Sequence, residues 1–541
     1  MRGMMMDRPL RVADILTYAE EIYPAEGITS AAVEGGIHRE TYAEMGQRTR
    51  RLAKALLALG LKEGDRIATL AWNGYRHMEL YYAIPGIGAI CHTLNPRLSP
   101  EQMIYITNHA EDRALFVDLT FVPLVEKLQD KMPAGLQVVI MTDAAHMPET
   151  ALSNVHCYED LLAAQDADFE FVDLDENAAA GLCYTSGTTG NPKGSLYSHR
   201  SQVLHALIGG ISMQNALRAG RRMLPVVPLF HANAWGAAHA TLLTGTSLVM
   251  PGAGLDGASL WDLMAAENVY SAWGVPTVWL GLLAEIEKRG GPPTGLGEVV
   301  IGGSAAAPSL IKSFEDMGIN VCHAWGMTEM SPIGTLGNLS PDQKTLSAAE
   351  QLPLKATQGR RVFGVDLKIV DENGARQPHD GKASGELFVR GSTIVSGYFN
   401  NEEASKAAID AEGWFGTGDV ATISSDGFLA ITDRTKDLIK SGGEWISSID
   451  VENMALAHPD IANCAVIAVP HPKWDERPVL VAVAAVETPD TDGIRAHLAA
   501  HLAKWQLPDD IIYVEDLPLT ATGKVSKLTL RERFKDHVLP S

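Results

Sequence analysis

The chain has 541 residues, a formal net charge of −22, 46% hydrophobic and 20% charged residues, which fits a folded protein of more than one domain, because single cores rarely grow past roughly 250–300 residues. The acidic balance and the lack of a dense basic run disfavour a nucleic-acid partner. No run of about 18 uninterrupted apolar residues occurs, so no transmembrane segment is expected and the location is read as cytoplasmic; five scattered cysteines with no CxxC pair read as reduced thiols.

Residues 41–59 read as an amphipathic helix with Leu52, Leu56 and Leu59 on one face and Arg48, Arg50 and Arg51 partly opposed. GDRIATLAWNG follows as strand and turn. The apolar runs ALFVD, LQVVIM, VVPLF, SLVM, YSAWGV and GEVVIGG alternate with helical patterns, which predicts an α/β fold of parallel strands and crossover helices. From about 357 to 431, VDLKIV, GELFVRG and GFLAIT are separated by DENG, DG and SSDG turns, which predicts a small β-rich, barrel-like subdomain. After DRTKDLIKSGGEWIS an α+β pattern returns, with NCAVIAV and VLVAVAAV as strands and TDGIRAHLAAHL as a helix. The expected division is a large domain over 1–432 and a small one over 433–541.

The stretch YTSGTTGNPKG, residues 184–194, carries three glycines, several hydroxyls and one lysine. It is not a Walker loop, because Lys193 follows Pro192 instead of a glycine. Glycines still let successive N–H groups point inward as an anion nest, and Ser/Thr hydroxyls add donors. Phosphate binding is the expected role.

Read in order with LFHANAW (229–235), GGSAAAPS (302–309), WGMTE (325–329), GWFGTGD (413–419), DRTKDLIKSGGEWIS (433–447) and PLTATGKVSK (518–527), the loop resembles the adenylate-forming superfamily of acyl-CoA synthetases, luciferases and adenylation domains. The match spans nearly the whole chain and is most similar to bacterial medium- and long-chain fatty acyl-CoA synthetases and to 3-methylmercaptopropionyl-CoA ligases. The resemblance implies two half-reactions, in which a carboxylic acid attacks Mg·ATP to give acyl-adenylate and pyrophosphate, and CoA then takes the acyl group.

It further implies that Thr185, Ser186, Gly187, Thr188, Thr189, Gly190 and Lys193 hold phosphates, with Thr185 and Glu329 near Mg²⁺ and Thr328 at the α-phosphate. Gly303, Ala324 and Trp325 would line the adenine, Asp419 would bind ribose, and Arg434 and Lys440 would reach the nucleotide. Lys524 would stabilise the adenylation transition state, and Lys436 would be the hinge of a mobile small domain. His231, Trp235, Gly236, Ala237 and Gly302 would form the acyl pocket, and Ser441, Gly442, Gly443, Glu444 and Trp445 would border the CoA tunnel. FHANAW lacks the Asp that amino-acid-activating members place there, which argues against an α-amino acid. A homodimer is also implied. The rival readings are a stand-alone carrier-protein adenylation domain, a luciferase-like oxygenase and a catalytically inactive lipid-binding module.

Overall fold

The computed structural model describes the chain except residues 2, 186–190, 443, 521–522 and 540–541. Thr41 caps the helix Tyr42–Ala58 in a reciprocal capping box with Glu44, which satisfies orphan N–H groups of the first turn. Leu52 and Leu56 of this helix are fully buried. Arg48 departs from a solvated polar face: it pairs with buried Glu79 at 2.6 Å and with Glu159 at 3.0 Å.

Two sheets make the large domain. One has seven strands, in which Val155–Cys157, Gln137–Ile140, Ala114–Val117, Arg66–Leu70, Ile90–Thr93 and Ala179–Tyr184 run parallel and Gly194–Ser198 closes the edge antiparallel. The other has thirteen strands. Its parallel part comprises Gly27–Ala31, Ser247–Met250, Arg222–Pro225, Ser271–Gly274, Glu298–Ile301 and Asn320–Gly326. No helix among the described residues is long and apolar enough to cross a membrane.

Two expectations are corrected. VVPLF is not a strand; the strand is Arg222–Pro225, just before it. Val226 and Val227 N–H both turn onto the Trp273 carbonyl, and Pro228 has no N–H to give a ladder. The β-rich segment forms no closed barrel among the described residues: Gly359–Arg361, Val365–Val370, Ser384–Gly391, Phe415–Ile423 and Phe428–Arg434 extend the thirteen-stranded sheet antiparallel.

The small domain is a five-stranded sheet built on the long pair Ile461–His471 and Asp475–Ala484, with helices Ser448–Ala455 and Thr491–His501 packed on it. All five cysteines are buried and free.

Candidate active site

The site gathers at the carboxyl ends of parallel strands, where ligand crevices of open α/β sheets lie. Ala179–Tyr184 leads into the glycine loop and Gly194–Ser198 returns from it. The neck is closed by Thr185 N–H donating to the Lys193 carbonyl at 2.9 Å. Ser186, Gly187, Thr188, Thr189, Gly190 and Gly443 lie outside the described residues.

Glu298–Ile301 delivers Gly302 and Gly303, and Asn320–Gly326 delivers Ala324 and Trp325. A Cβ on Gly302 would stand 3.0 Å from both the Ala324 carbonyl and the Trp235 ring. Gly303 has φ +83° and lies against Val275, Trp235 and Lys524. Both positions therefore need glycine, one for space and one for its backbone conformation.

Trp325 donates its indole N–H to Asp419 Oδ2 at 3.1 Å, and Arg434 Nε pairs with Asp419 Oδ1 at 2.7 Å. Burial raises the Asp419 pKa, and the Arg434 charge offsets part of that rise. Each carboxylate oxygen accepts about two hydrogen bonds, so lone pairs remain for a sugar diol. Glu329 is 6% exposed; burial raises its pKa, and a hydrogen bond from the Tyr398 hydroxyl at 2.8 Å works against that. Neighbouring Thr328 is buried, and its carbonyl accepts from Tyr197 Oη at 2.6 Å.

The acyl-side residues stand on an unusual turn. Ala232, Asn233, Ala234 and Trp235 have φ of 45°, 58°, 50° and 57°, followed by Gly236 at 83°. Left-handed backbone costs L-residues roughly 1–2 kcal/mol each, so the surroundings must hold it. Asn73 Nδ2 donates to the Pro225 and Val227 carbonyls and Asn73 Oδ1 accepts from Leu229 N. Tyr81 and Tyr82 hydroxyls donate to Leu229 and Ala238 carbonyls. The turn lays Trp235 over Gly302 and Gly303 and places Gly236 against His205, where a Cβ would stand 2.3 Å from the imidazole. Ala237 opens the buried helix Ala237–Thr244.

Lys524 comes from the small domain. The turn around Gly523, φ +81°, rests on the large domain: Thr277 Oγ1 donates to the Gly523 carbonyl at 3.4 Å, and Lys524 Cε lies 3.5 Å from a Cβ position on Gly303. Burial, then the Arg434 charge, lower the Lys524 pKa to about 8, with Asp419 and Glu329 offsetting part of the drop. His231 is held at about 4 by burial and by the charge of Lys524, so it is a neutral imidazole at physiological pH.

The structure thus brings together Thr328, Glu329, Trp325, Asp419, Arg434, Lys193, His231, Trp235 and Lys524. It keeps the other small-domain residues apart. Lys440 lies over the Trp445 ring, Ser441 Oγ accepts from Arg477 and Gly442 N–H donates to the Trp474 carbonyl, all within the hairpin of Ile439–Ser441 and Glu444–Ile446 and its neighbours. Glu444 and Trp445 are exposed. Lys436 stands in the turn after Phe428–Arg434, where Thr435 N–H donates to the Gly418 carbonyl. Sequence reasoning missed Tyr398, Asn73, Tyr81 and Thr277, because their partners are remote in the chain and no spacing marks them.

Against known proteins, the family described as AMP-binding enzyme matches residues 25–399, and AMP-binding enzyme C-terminal domain matches 450–524. The chain belongs to the AMP-binding enzyme family. It is 47% identical to the 3-methylmercaptopropionyl-CoA ligase of Ruegeria pomeroyi over 99% of both chains. It is 46% identical to the medium-chain-fatty-acid–CoA ligase of Ectopseudomonas oleovorans over 100% of this chain and 99% of that one. Among solved structures, an anthranilate CoA ligase in complex with anthranoyl-AMP superposes with a TM-score of 0.86 at 24% identity, covering 98% of both. That likeness establishes the shared fold, an α/β body with a separate small C-terminal domain.

Proposed function

We propose that this member of the family is an AMP-forming acyl-CoA ligase, with ATP, CoA and an aliphatic carboxylic acid as its small-molecule partners. The observation that carries the reading is Lys524: a small-domain ammonium packed over Gly303 beside Asp419, Glu329 and Arg434, in a chain alike over its full length to CoA ligases. Asp419 fixes the ribose and Gly303, Ala324 and Trp325 line the adenine. Lys193, with the loop residues Thr185 to Gly190, holds the phosphates, and Thr328 faces the α-phosphate.

Lys524 opposes the negative charge shared between the incoming carboxylate and the α-phosphate, a compact ammonium in a water-poor site where such charge counts most. His231, neutral, orients the acid by hydrogen bonding and does not add a second cation. Mg²⁺ fits the donor set, since Glu329 is a buried carboxylate at the phosphate side, Thr185 adds oxygen donors, and hard cations in such sites use one or two protein oxygens plus substrate phosphates; when bound it screens phosphate charge. Lys436 serves as the hinge near a domain boundary at 432/433, and Ser441, Gly442, Gly443, Glu444 and Trp445 bring the CoA face in the second half-reaction, with Lys440 reaching the nucleotide. A cytoplasmic homodimer belongs to the same proposal.

The acyl side offers no carboxylate for an ammonium among residues 229–237, and Trp235, Gly236, Ala237 and Gly302 give it an apolar wall. A medium- or long-chain fatty acid is the first reading. The relative at 47% identity favours a second, the short thioether acid 3-methylmercaptopropionate. AMP release with ATP, Mg²⁺ and CoA, measured across linear acids from acetate to palmitate and the thioether acid, separates them by where the maximum falls. Acid-independent AMP release, or none with any acid, would overturn the ligase reading.

A further inference from the structure

Residues 395–399 grip the nucleotide site from two sides. Val395 N–H donates to the Glu329 carbonyl at 2.9 Å, and the Tyr398 hydroxyl donates to Glu329 Oε1 at 2.8 Å. The Tyr398 ring lies 5.0 Å from Lys193 Nζ, and Phe399 N–H donates to the Gly194 carbonyl at 2.8 Å, forming a bridge at the exit of the phosphate loop. One short segment therefore fixes both the carboxylate side and the lysine side of the triphosphate site.

The segment is itself braced. Tyr398 N–H donates to Ser405 Oγ at 2.8 Å, and Ser405 Oγ donates to the Asn401 carbonyl at 2.6 Å. Gly397 leaves room for this, as a Cβ there would stand 2.9 Å from Ser405 Oγ. The Phe399 ring meets His109 edge-on at 5.7 Å, and His109 Nδ1 is hydrogen-bonded to the Tyr184 hydroxyl at 2.6 Å. Tyr398 thus has little freedom to reorient.

We infer that Tyr398 is a positioning residue that couples triphosphate binding to the divalent cation, its hydroxyl aiming Glu329 and its ring face holding Lys193. This rests on the roles given above to Lys193 and Glu329. A hydrogen bond to one carboxylate oxygen orients the group and leaves the other oxygen for a cation. The ring attracts the ammonium through its quadrupole without occupying any of its three N–H donors. The contact of Lys193 Nζ is with the ring face, which leaves its hydrogens for phosphate oxygens.

The test is calorimetric binding of α,β-methylene ATP to the full-length protein, with and without Mg²⁺, for wild type, Tyr398→Phe, Tyr398→Leu, Glu329→Gln and Lys193→Ala. Tyr398→Phe, which keeps the ring, is expected to bind the metal-free analogue as wild type does and to lose about ten-fold of the tightening that Mg²⁺ gives. Tyr398→Leu is expected to lose in addition about three-fold in metal-free affinity, the scale of an exposed cation–π contact. Full Mg²⁺ tightening in Tyr398→Phe, an equal loss with and without metal, or identical behaviour of the Phe and Leu variants would overturn the coupling. If Glu329→Gln keeps its Mg²⁺ response and Lys193→Ala keeps its affinity, the underlying site assignment falls, separately from Tyr398.

Discussion

Lys524 and Lys527 are half-buried lysines three residues apart in PLTATGKVSK, yet they answer to different domains. Lys527 Nζ pairs with Glu452 at 2.7 Å inside the small domain; burial pushes its pKa down, but Glu452 and then Asp433 outweigh this and the net shift is upward. Lys524 points into the large domain, where burial and Arg434 bring it to about 8. Among the described residues no carboxylate pairs with it directly. A lysine with a direct carboxylate partner holds a domain together, whereas one that only shares the field of more distant carboxylates is poised for a substrate's negative charge.

The largest effect that would break this contrast is on turnover. Lys524→Ala is expected to cut acyl-CoA formation by about 10²–10³-fold, the usual scale for removing a group that meets transition-state charge, with thermal unfolding near wild type. Lys527→Ala should do the reverse. Stranding Glu452 without its partner is expected to cost roughly 3 kcal/mol of stability in urea unfolding, with little change in activity per folded molecule. Should Lys527→Ala lose activity without losing stability, the division of labour would be wrong.

On the proposed mechanism Lys524 leaves the site before CoA acts, so a proline at Lys436 sharpens the same contrast. Lys436→Pro is expected to keep acid-dependent pyrophosphate exchange and to slow thioester formation; unchanged thioester turnover would exclude this residue as the pivot.

The smallest effect is a pH limb. The charged form of Lys524 is lost as pH rises through about 8 in the folded enzyme, so kcat/KM for adenylation should decline above that value, and Lys524→Arg should remove the limb. Its contribution to stability runs the other way. An unfolded lysine keeps its proton to about 10.4, so between the two values the folded state binds fewer protons and gains stability as pH rises. Lys527, shifted upward, stabilises below the unfolded value and loses that contribution as pH climbs through its folded one. His231 at about 4 adds no acid limb in the neutral range.

The α/β order was legible because period and capping agree, as in Tyr42–Ala58 with Thr41 as its cap, and the site's charged residues were legible because each stands in a short motif. Four features were not. VVPLF has strand composition, but Pro228 and the shared acceptor at Trp273 divert it into a turn. The left-handed run at 232–235 contains no glycine, so nothing local announces it; Asn73 and Tyr81 fasten the segment leading into it, at Val227 and Leu229, from about 150 residues away. Tyr398 acts through Glu329 and Lys193, contacts made by the fold and invisible to spacing. The antiparallel strands after residue 357 do not close into a barrel because they continue an existing sheet edge at Ile333–Leu336.

The most direct test of the whole account follows the two half-reactions separately in Lys524→Ala under single-turnover conditions. Formation of acyl-adenylate from ATP and acid should nearly vanish, while conversion of supplied acyl-adenylate and CoA to thioester should stay close to wild type. An equal fall in both steps, in a folded protein, would contradict a lysine that serves adenylation alone.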